Sequence, residues 1–530
     1  MRILRAATTS GPSATDHRPA GASPSASTGT TGARAWLVRE WPLVALLVLA
    51  AVVRFATIGE QSLWYDEAYT PVHVLHPSLF ATLRTMVHTE NTPPLWYVLI
   101  WAWSRVLGTG AVALRSLSAI AGLATVAVGW GIGRELGTRR TAIVFTAILA
   151  VDPLFVWYSQ EARAYALFAL FAALSLWCFL RARRAPTAAA LAAWSAASVL
   201  ALLSHYFAAF LVGPEALILC YDAARRPRGE RRPSPALVAA VGAIVVCGLA
   251  LVPLIAAQGG HGTQWIGRWA LSSRLVAIPG YFLLGGQSAT FGHGLLLLTA
   301  VPALIAIGLL PGLTRGEWRA AGLMAGLGAV SILLPLLLVA AGHDYLAPRN
   351  VIASWLPLAA ALAVVLAGER AGRTGIVLTV LVCLAGLGID IAIDAVPKFQ
   401  RADWSGVAQA LHAGSPDRAV VVVELGSAPL EYYAPPLRYV RPGATVRVSE
   451  IDLVGYAPLN AGAATPLTAA FKPAGRLSIH RLDVYRFVAA SPQTLTEREL
   501  RRDRLTPTSS EVLAPPSAVS GGSGGGAAVP

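Results

Sequence analysis

A chain of 530 residues that is 55% hydrophobic and only 13% charged, with a mean hydropathy of +0.58, is not a soluble globular protein, in which about a quarter of residues carry charge. Its net charge of +14, from 42 basic and 28 acidic residues, would suggest a nucleic-acid partner in a soluble domain. Here most arginines stand in short clusters between apolar runs, which is the pattern of polytopic membrane topology, so no nucleic acid is expected.

Residues 1–33 are rich in Ser, Thr, Gly, Ala and Pro without an apolar run and read as a disordered tail. The first apolar stretch begins only near Trp41 and no small-residue cleavage site follows it, which argues against a cleavable signal. A spanning helix needs about 20 mostly apolar residues. Runs of that kind lie at 41–58, 112–133, 141–157, 164–180, 187–204, 206–221, 235–257, 294–313, 320–341, 351–367 and 374–395. Two shorter stretches, 93–107 and 275–286, are expected to lie at or dip into the interface, the first because it opens with Pro93-Pro94 and is dense in tryptophan. Cys178, Cys220, Cys247 and Cys383 all fall inside apolar runs without paired spacing and read as small core residues, neither disulfides nor metal ligands.

Charge sets the orientation. With both short stretches uncrossed, fifteen arginines lie in loops on one side: 134, 139, 140, 181, 183, 184, 225, 226, 228, 231, 232, 315, 319, 370 and 373. Six lie on the other: Arg84, Arg105, Arg163, Arg268, Arg274 and Arg349. The positive-inside bias therefore gives eleven crossings of the cell membrane with a cytoplasmic N-terminus, and residues 34–396 form the membrane domain, with a long outer loop at 59–111. Eleven is odd, so the chain emerges on the outer face. There DWSGVAQALHAG reads as a helix capped by Asp403, and DRAVVVVELG, ATVRVSEI and LDVYRFVAA read as strands, making a small α/β domain over 397–490. From 491 the chain turns charged, then Gly/Ser/Pro-rich, ending in GGSGGGAAVP, and reads as a disordered tail over 491–530.

Chemistry-bearing residues collect at the outer ends of the spans. The long loop contains SLWYDEAYT, whose adjacent Asp66 and Glu67 sit just past a span beside Trp64 and Tyr65, a suitable place for a general base at a membrane surface. An acid-containing helix cap is the plainer reading of such a pair. His73, His76 and His88 share the loop, but their spacing is not that of a zinc site; no cofactor is required, and whether a divalent cation assists stays open. The short loop Tyr158-Ser159-Gln160-Glu161-Ala162-Arg163 packs polar groups between apolar helices, which is costly unless they line a wet cavity or bind something, and its arginine offers a planar fork of donors to an anion. Ser204-His205-Tyr206 and the segment from His343 to Asn350, with Arg349, fall at the same face. Together Tyr158, Glu161, Arg163, His205 and Arg349 gather where a lipid-phosphate headgroup would sit. Glu215, after Pro214, is the one acid deep within a span and is given no catalytic role.

These segments carry a resemblance. SLWYDEAYT in a long first outer loop, then NTPPLWYVLIWAWSRVLG, YSQEARAYAL, SHYFA, a late Arg349 and a DWSGVAQAL helix leading to an outer α/β domain resemble the GT-C glycosyltransferases of the family 39, ArnT and protein O-mannosyltransferase group, over about residues 41 to 435. The resemblance implies inverting transfer of a sugar from a polyprenyl-phosphate carrier to a cell-envelope acceptor (glycan, lipid or protein) at the outer face, within membrane lipid. By that likeness Asp66 deprotonates the acceptor hydroxyl, Glu67 orients the site, Arg163 and Arg349 bind the carrier phosphate, and His88, Glu90 and Asn91 stand where acceptor or phosphate contacts fall. The chain departs from the pattern in having Asn350 after the arginine and no lysine in the first loop.

A transporter or flippase of lipid-linked sugars is the rival reading. Such proteins place substrate near the bilayer midplane on broken helices in paired repeats, whereas this chain concentrates its polar residues at one face and shows no evident repeat. A protein that only binds the carrier would keep Arg163 and Arg349 without needing Asp66. The topology has a direct test: single cysteines at Ser78 and Tyr432 are expected to react with a membrane-impermeant thiol reagent in intact cells and one at Arg228 to be protected; labelling at 228 or protection at 432 overturns the eleven-span arrangement.

Overall fold

The computed structural model describes residues 28–225, 234–260, 262–287, 303–412, 415–459, 465–501, 505 and 510–520. Among them seven helices are long and apolar enough to cross a membrane: Ala111–Leu136, Tyr165–Arg184, Tyr206–Ala224, Pro235–Gln258, Arg315–Ala340, Pro348–Ala367 and Glu369–Ala395. The bent pair Arg139–Ala150 and Pro153–Ser159, turned by 55° at its break, supplies an eighth. Of the three other expected runs, 41–58 lies in the helix Thr28–Phe55, kinked at Glu40 before Pro42, and 187–204 coincides with Ala188–Ser204. The run 294–313 falls partly outside the described residues, which hold its second half as the short apolar helix Ala303–Gly312. The two uncrossed stretches are the helices Leu95–Leu107 and Leu271–Leu284, of 13 and 14 residues; at 1.5 Å rise per residue each is roughly 20 Å long, short of a hydrocarbon core of about 30 Å.

The chain is thus a multi-span α-helical membrane protein with a small C-terminal sheet. One large core, built on Phe145, Phe168, Phe179, Trp194, Leu356 and their neighbours, runs through the helices. Val246 and Leu249 stand exposed on Pro235–Gln258, as do Leu217 and Leu384 on other spans, which is the inverse of a soluble helix and leaves apolar surface for lipid. The break between Ala150 and Pro153 is held by charge placed according to helix polarity. Arg54, fully buried, donates to the carbonyls of Leu149 and Ala150 at 2.9 and 2.7 Å, the electronegative end of one helix. Asp152 accepts from the backbone N–H of Leu154 and Phe155, the electropositive start of the next. Gly285, at φ +73°, and Gly286 close the end of Leu271–Leu284 against this break; a Cβ at either would press on Pro153 O or the Trp157 ring within 2.8 Å.

In the C-terminal unit the helix Trp404–Leu411, capped by Asp403 through Gly406 N, leads into β1 (Arg418–Val423). The helix Ser427–Tyr433 then crosses to β2 (Arg438–Tyr439) and β3 (Thr445–Tyr456), followed by β4 (Phe471–Ile479), β5 (Leu482–Thr496), β6 (Ser510–Ala514) and β7 (Val519–Ser520). The sheet order is β2-β6-β1-β3-β5-β4, with β7 pairing β3. β1 and β3 are parallel, Val420 opposite Asp452, and the other pairs antiparallel. The run of five apolar residues in β1 is buried throughout, as befits a strand covered on both faces.

The expected boundary at 490 and the tail beyond it need correction. β5 continues to Thr496, and β6 inserts between β2 and β1, registering Val420 with Leu513 and Tyr439 also with Leu513. Its sequence, SEVLA, is too short and too closely flanked by Pro and Ser to announce itself; its place in the sheet comes from long-range pairing. Of the expected N-terminal tail, 28–33 are helical and 1–27 lie outside the described residues, as do 521–530. Truncation after Arg501 removes a strand interior to the sheet. It is expected to expose the C-terminal unit to limited proteolysis, whereas truncation after Ser520 leaves the protease pattern unchanged; equal resistance of the two forms overturns the assignment of β6 to the folded unit.

Candidate functional site

The segment after the first helix is drawn inward by charge. Glu67 and Arg115 are fully buried and paired twice, Nε to Oε1 at 2.8 Å and Nη2 to Oε2 at 2.7 Å. Arg115 spends its remaining donors on the carbonyls of Ile58, Gln61 and Ser62. Glu67 Oε1 also accepts from Ala162 N at 2.8 Å, so the first outer segment is locked to the YSQEAR segment. Arg115 holds the Glu67 carboxyl below the usual range despite its burial. Glu67 lines none of the larger cavities. Its oxygens are spent on Arg115 and Ala162 and not on open space.

That lock turns its neighbour outward. Asp66 faces a chamber of about 560 Å³ lined by Trp64, Tyr65, Tyr69, Glu90, Asn91, Arg163, Tyr165, Trp265, Arg349 and, from the C-terminal sheet, Val423, Glu424, Leu425 and Tyr456. Arg349 Nη1 lies 2.9 Å from Asp66 Oδ2, and its guanidinium stands over the rings of Trp265 and Tyr165 at 5.0 and 6.0 Å. Arg163 donates to the Asp66 carbonyl at 3.2 Å and to Glu90 Oε2 at 3.0 Å, and Tyr97 OH donates to the same Glu90 oxygen at 2.7 Å. Burial and the Asp66 charge keep the Tyr65 phenol protonated, pushing it well above its usual value. The chamber thus gathers the carboxylates of Asp66, Glu90 and Glu424 and the guanidiniums of Arg163, Arg268 and Arg349 from segments spread along the chain, so that acidic groups stand beside donors suited to an anion.

Six of the nine expected site residues converge here or next door. Asp66, Glu90, Arg163 and Arg349 line the chamber. Tyr158 and Glu161 line a smaller adjoining cavity of about 290 Å³ with Arg349 and Arg401. His205 instead lines an apolar cavity of about 300 Å³ that Arg349 also reaches. It stacks on Phe168 at 4.7 Å and accepts from Phe207 N through Nδ1. Burial, reinforced by Arg349 and Arg163, lowers it to about 3, so it is neutral and its expected place on a lipid phosphate is not borne by a cation. His88 is exposed and lines none of these cavities; it faces away at the end of Leu79–Thr89 because Met86, on the opposite face, is the residue packed inward. The loop histidines do not converge: His73 meets Glu431 at 3.2 Å and His76 meets Thr85 at 2.9 Å. Among the described residues no cluster of three His, Cys, Asp or Glu could hold a metal ion.

Sequence reading missed Arg401, whose guanidinium lies 3.9 Å over Trp157, 3.3 Å from Glu161 and 3.9 Å from Glu67. It also missed Arg115, although an arginine inside an apolar run is itself a signal. Arg401 offers no such cue, since it sits in a short linker whose burial comes from the docking of the C-terminal unit. That docking is specific: Tyr433 OH accepts from Leu63 N at 2.7 Å, Ser62 Oγ donates to Asp403 at 2.8 Å, and Tyr432 OH donates to the Thr109 carbonyl at 2.8 Å.

Comparison with known proteins places this geometry. Residues 91–251 match the dolichyl-phosphate-mannose-protein mannosyltransferase family. ArnT of Cupriavidus metallidurans in the apo state is 13% identical, with 86% of this chain and 98% of that chain covered at a TM-score of 0.53. The same protein bound to undecaprenyl phosphate is 12% identical, with 86% and 98% covered at 0.51. The Saccharomyces cerevisiae protein O-mannosyltransferase Pmt1-Pmt2 complex bound to the sugar donor is 19% identical over 41% of this chain and 32% of that chain, with a TM-score of 0.33. The chain therefore spans about a third of the yeast chain and nearly all of ArnT. No curated protein matches the sequence. The fold is that of ArnT, and residues 91–251 carry the match to the mannosyltransferase family.

The Glu67 lock makes a prediction that separates it from Asp66. Glu67→Gln leaves the Arg115 charge buried without a counter-ion, a loss of about 3–5 kcal/mol. Purified in detergent, that variant is expected to unfold at clearly lower temperature and in lower yield than wild type, while Asp66→Asn matches wild type. Equal melting of Glu67→Gln and wild type overturns the reading of the Glu67–Arg115 pair as a structural lock.

Proposed function

We propose that the protein transfers a sugar, with inversion, from a polyprenyl-phosphate carrier to a hydroxyl of a cell-envelope acceptor at the outer face of the cell membrane, with the N-terminus cytoplasmic and the C-terminal unit outside. The observation that carries this reading is the 2.9 Å pairing of Asp66 with Arg349 at the wall of a chamber set among helix ends. Asp66 takes the proton as the acceptor oxygen attacks the anomeric carbon. The bond from that carbon to the phosphate oxygen breaks on the opposite side, and the carrier phosphate leaves with the bond's electron pair. Arg349 and Arg163 stabilise the charge that develops there. Arg349 bridges the base and the leaving phosphate, so it holds both in one geometry. The apolar cavity on its other side, with Phe207, Phe210, Ile255 and Leu338 on its wall, suits the first isoprene units of a lipid whose tail stays in the bilayer. The ArnT structure bound to undecaprenyl phosphate, a polyprenyl phosphate on the same fold, supports this class of donor.

Asp66→Asn keeps the shape of the side chain but cannot accept a proton, and loss of a general base typically costs about 100-fold to 10,000-fold in rate. Purified protein given a labelled polyprenyl-phosphate sugar and envelope acceptor is expected to lose transfer by that factor in Asp66→Asn. Arg349→Ala should impair donor use more than Arg349→Lys, which keeps the charge but not the fork. Near-normal transfer by Asp66→Asn moves the base elsewhere, and turnover of a nucleotide sugar without any lipid carrier overturns the donor class.

A further inference from the structure

The smaller cavity beside the Asp66 chamber has a chemistry of its own. Its volume is about 290 Å³, equal to about ten waters at roughly 30 Å³ each. That is room for one monosaccharide and too little for an acceptor glycan. Tyr158, Tyr281, Trp157 and Tyr456 give it aromatic walls, and Trp64, Tyr456 and Arg349 belong to both cavities. Three side chains on its wall carry buried polar atoms without a hydrogen-bond partner: Glu161 Oε1, Arg401 Nε and Trp64 Nε1. Glu161 and Arg401 are 1% and 5% exposed, and Arg401 Nε lies 3.9 Å from Glu67 Oε2, beyond hydrogen-bond reach. Leaving such atoms unmet is costly, so their presence together calls for a ligand that meets them.

The set consists of an acceptor and donors side by side. A phosphate or carboxylate would answer the donors and be repelled by Glu161. A sugar hydroxyl donates and accepts at once, so a vicinal pair can satisfy both. Burial pushes the Glu161 carboxyl up to about 7 against the pull of Arg401, which suits a group meant to bond a neutral partner. At the rim stands Arg481, half-buried in the tight turn between β4 and β5, where its carbonyl accepts from Ala457 N at 2.8 Å and ties the turn to the end of β3.

We propose that this second cavity is the subsite for the donor's sugar ring, with Glu161 and Arg401 bonding ring hydroxyls and Arg481 of the C-terminal sheet acting as a specificity residue at the rim. The inference rests on the glycosyl-transfer reading above and names the part of the molecule that distinguishes one sugar from another. It also gives the C-terminal unit a direct part in substrate choice.

The test measures binding to the full-length protein in lipid nanodiscs, with bare decaprenyl phosphate and the same lipid carrying mannose, glucose, galactose or arabinose as probes. Wild type is expected to bind at least one sugar-bearing lipid about tenfold more tightly than the bare phosphate. Glu161→Gln and Arg481→Ala are each expected to cut that preference by about three- to tenfold, the worth of one or two hydrogen bonds, while in Arg481→Ala bare-lipid binding stays within about twofold. Arg481 is half-buried in a surface turn, so its variant decides the matter should Glu161→Gln fail to fold. No preference for any sugar in wild type, or a preference unchanged in the variants that fold, overturns the subsite while leaving the phosphate site intact. Absence of binding by the bare lipid phosphate overturns the underlying reading instead.

Discussion

The whole chamber depends on one buried guanidinium. Arg115 places all five of its N–H bonds, two on Glu67 and three on the carbonyls of Ile58, Gln61 and Ser62. A buried ion pair is a poor source of stability unless the remaining donors and acceptors are met, since desolvation consumes most of the attraction. Here they are met, and by backbone groups that would otherwise be unpaired where the chain leaves the first helix. The arrangement therefore acts as a template: it fixes the path of residues 58–67, puts Glu67 against Ala162, and leaves Asp66, one residue earlier, on the other side of the short helix Tyr65–Tyr69, facing the chamber. Two adjacent acids meet different surroundings because consecutive helical positions point about 100° apart.

The same logic places the YSQEAR segment. It follows a helix broken at Val151 and Asp152, and the break is stabilised from both ends by Arg54 and Asp152. Gln160 Nε2 reaches back to Val53 O and Thr57 Oγ1 at 3.1 and 3.0 Å, so the first helix governs both outer segments. Polar residues within the membrane domain are in this sense architectural before they are chemical. Trp355 Nε1 donates to Asp152 at 2.7 Å, and Glu215 accepts from Ser175 and Trp194 at 2.5 and 2.9 Å; each ties neighbouring helices where apolar packing against lipid supplies little driving force.

Much of this was legible in the chain. The multi-span helical fold and the grouping of Asp66, Arg163 and Arg349 followed from hydropathy and charge, because bilayer thickness imposes a length and burial of charge imposes a location. What stayed hidden was pairing. Nothing local separates Asp66 from Glu67; the difference arises because Arg115, nearly fifty residues later, claims the second. His205 looked like a headgroup contact from its place at a helix end, but its surroundings are Phe168, Tyr165 and Phe207, and an apolar setting strips a histidine of its charge. β6 escaped for a similar reason, since a five-residue strand between two antiparallel neighbours is specified by its partners more than by its own pattern.

Arg349 is the residue through which these parts meet. It lies on the wall of the apolar cavity, of the Asp66 chamber and of the aromatic cavity beneath the C-terminal sheet. A lipid-linked sugar has three parts of distinct chemistry, an apolar chain, an anion and a polyol, joined at the phosphate. A single guanidinium at the junction of three cavities of matching character can hold the joint while each part finds its own environment. Its stacking on Trp265 and Tyr165 and its bond to Asp66 fix the fork before any ligand arrives, so little ordering remains to be done when the phosphate binds. On the proposed reading, the position that most constrains the ligand is therefore also the one that sets the base against the bond to be broken.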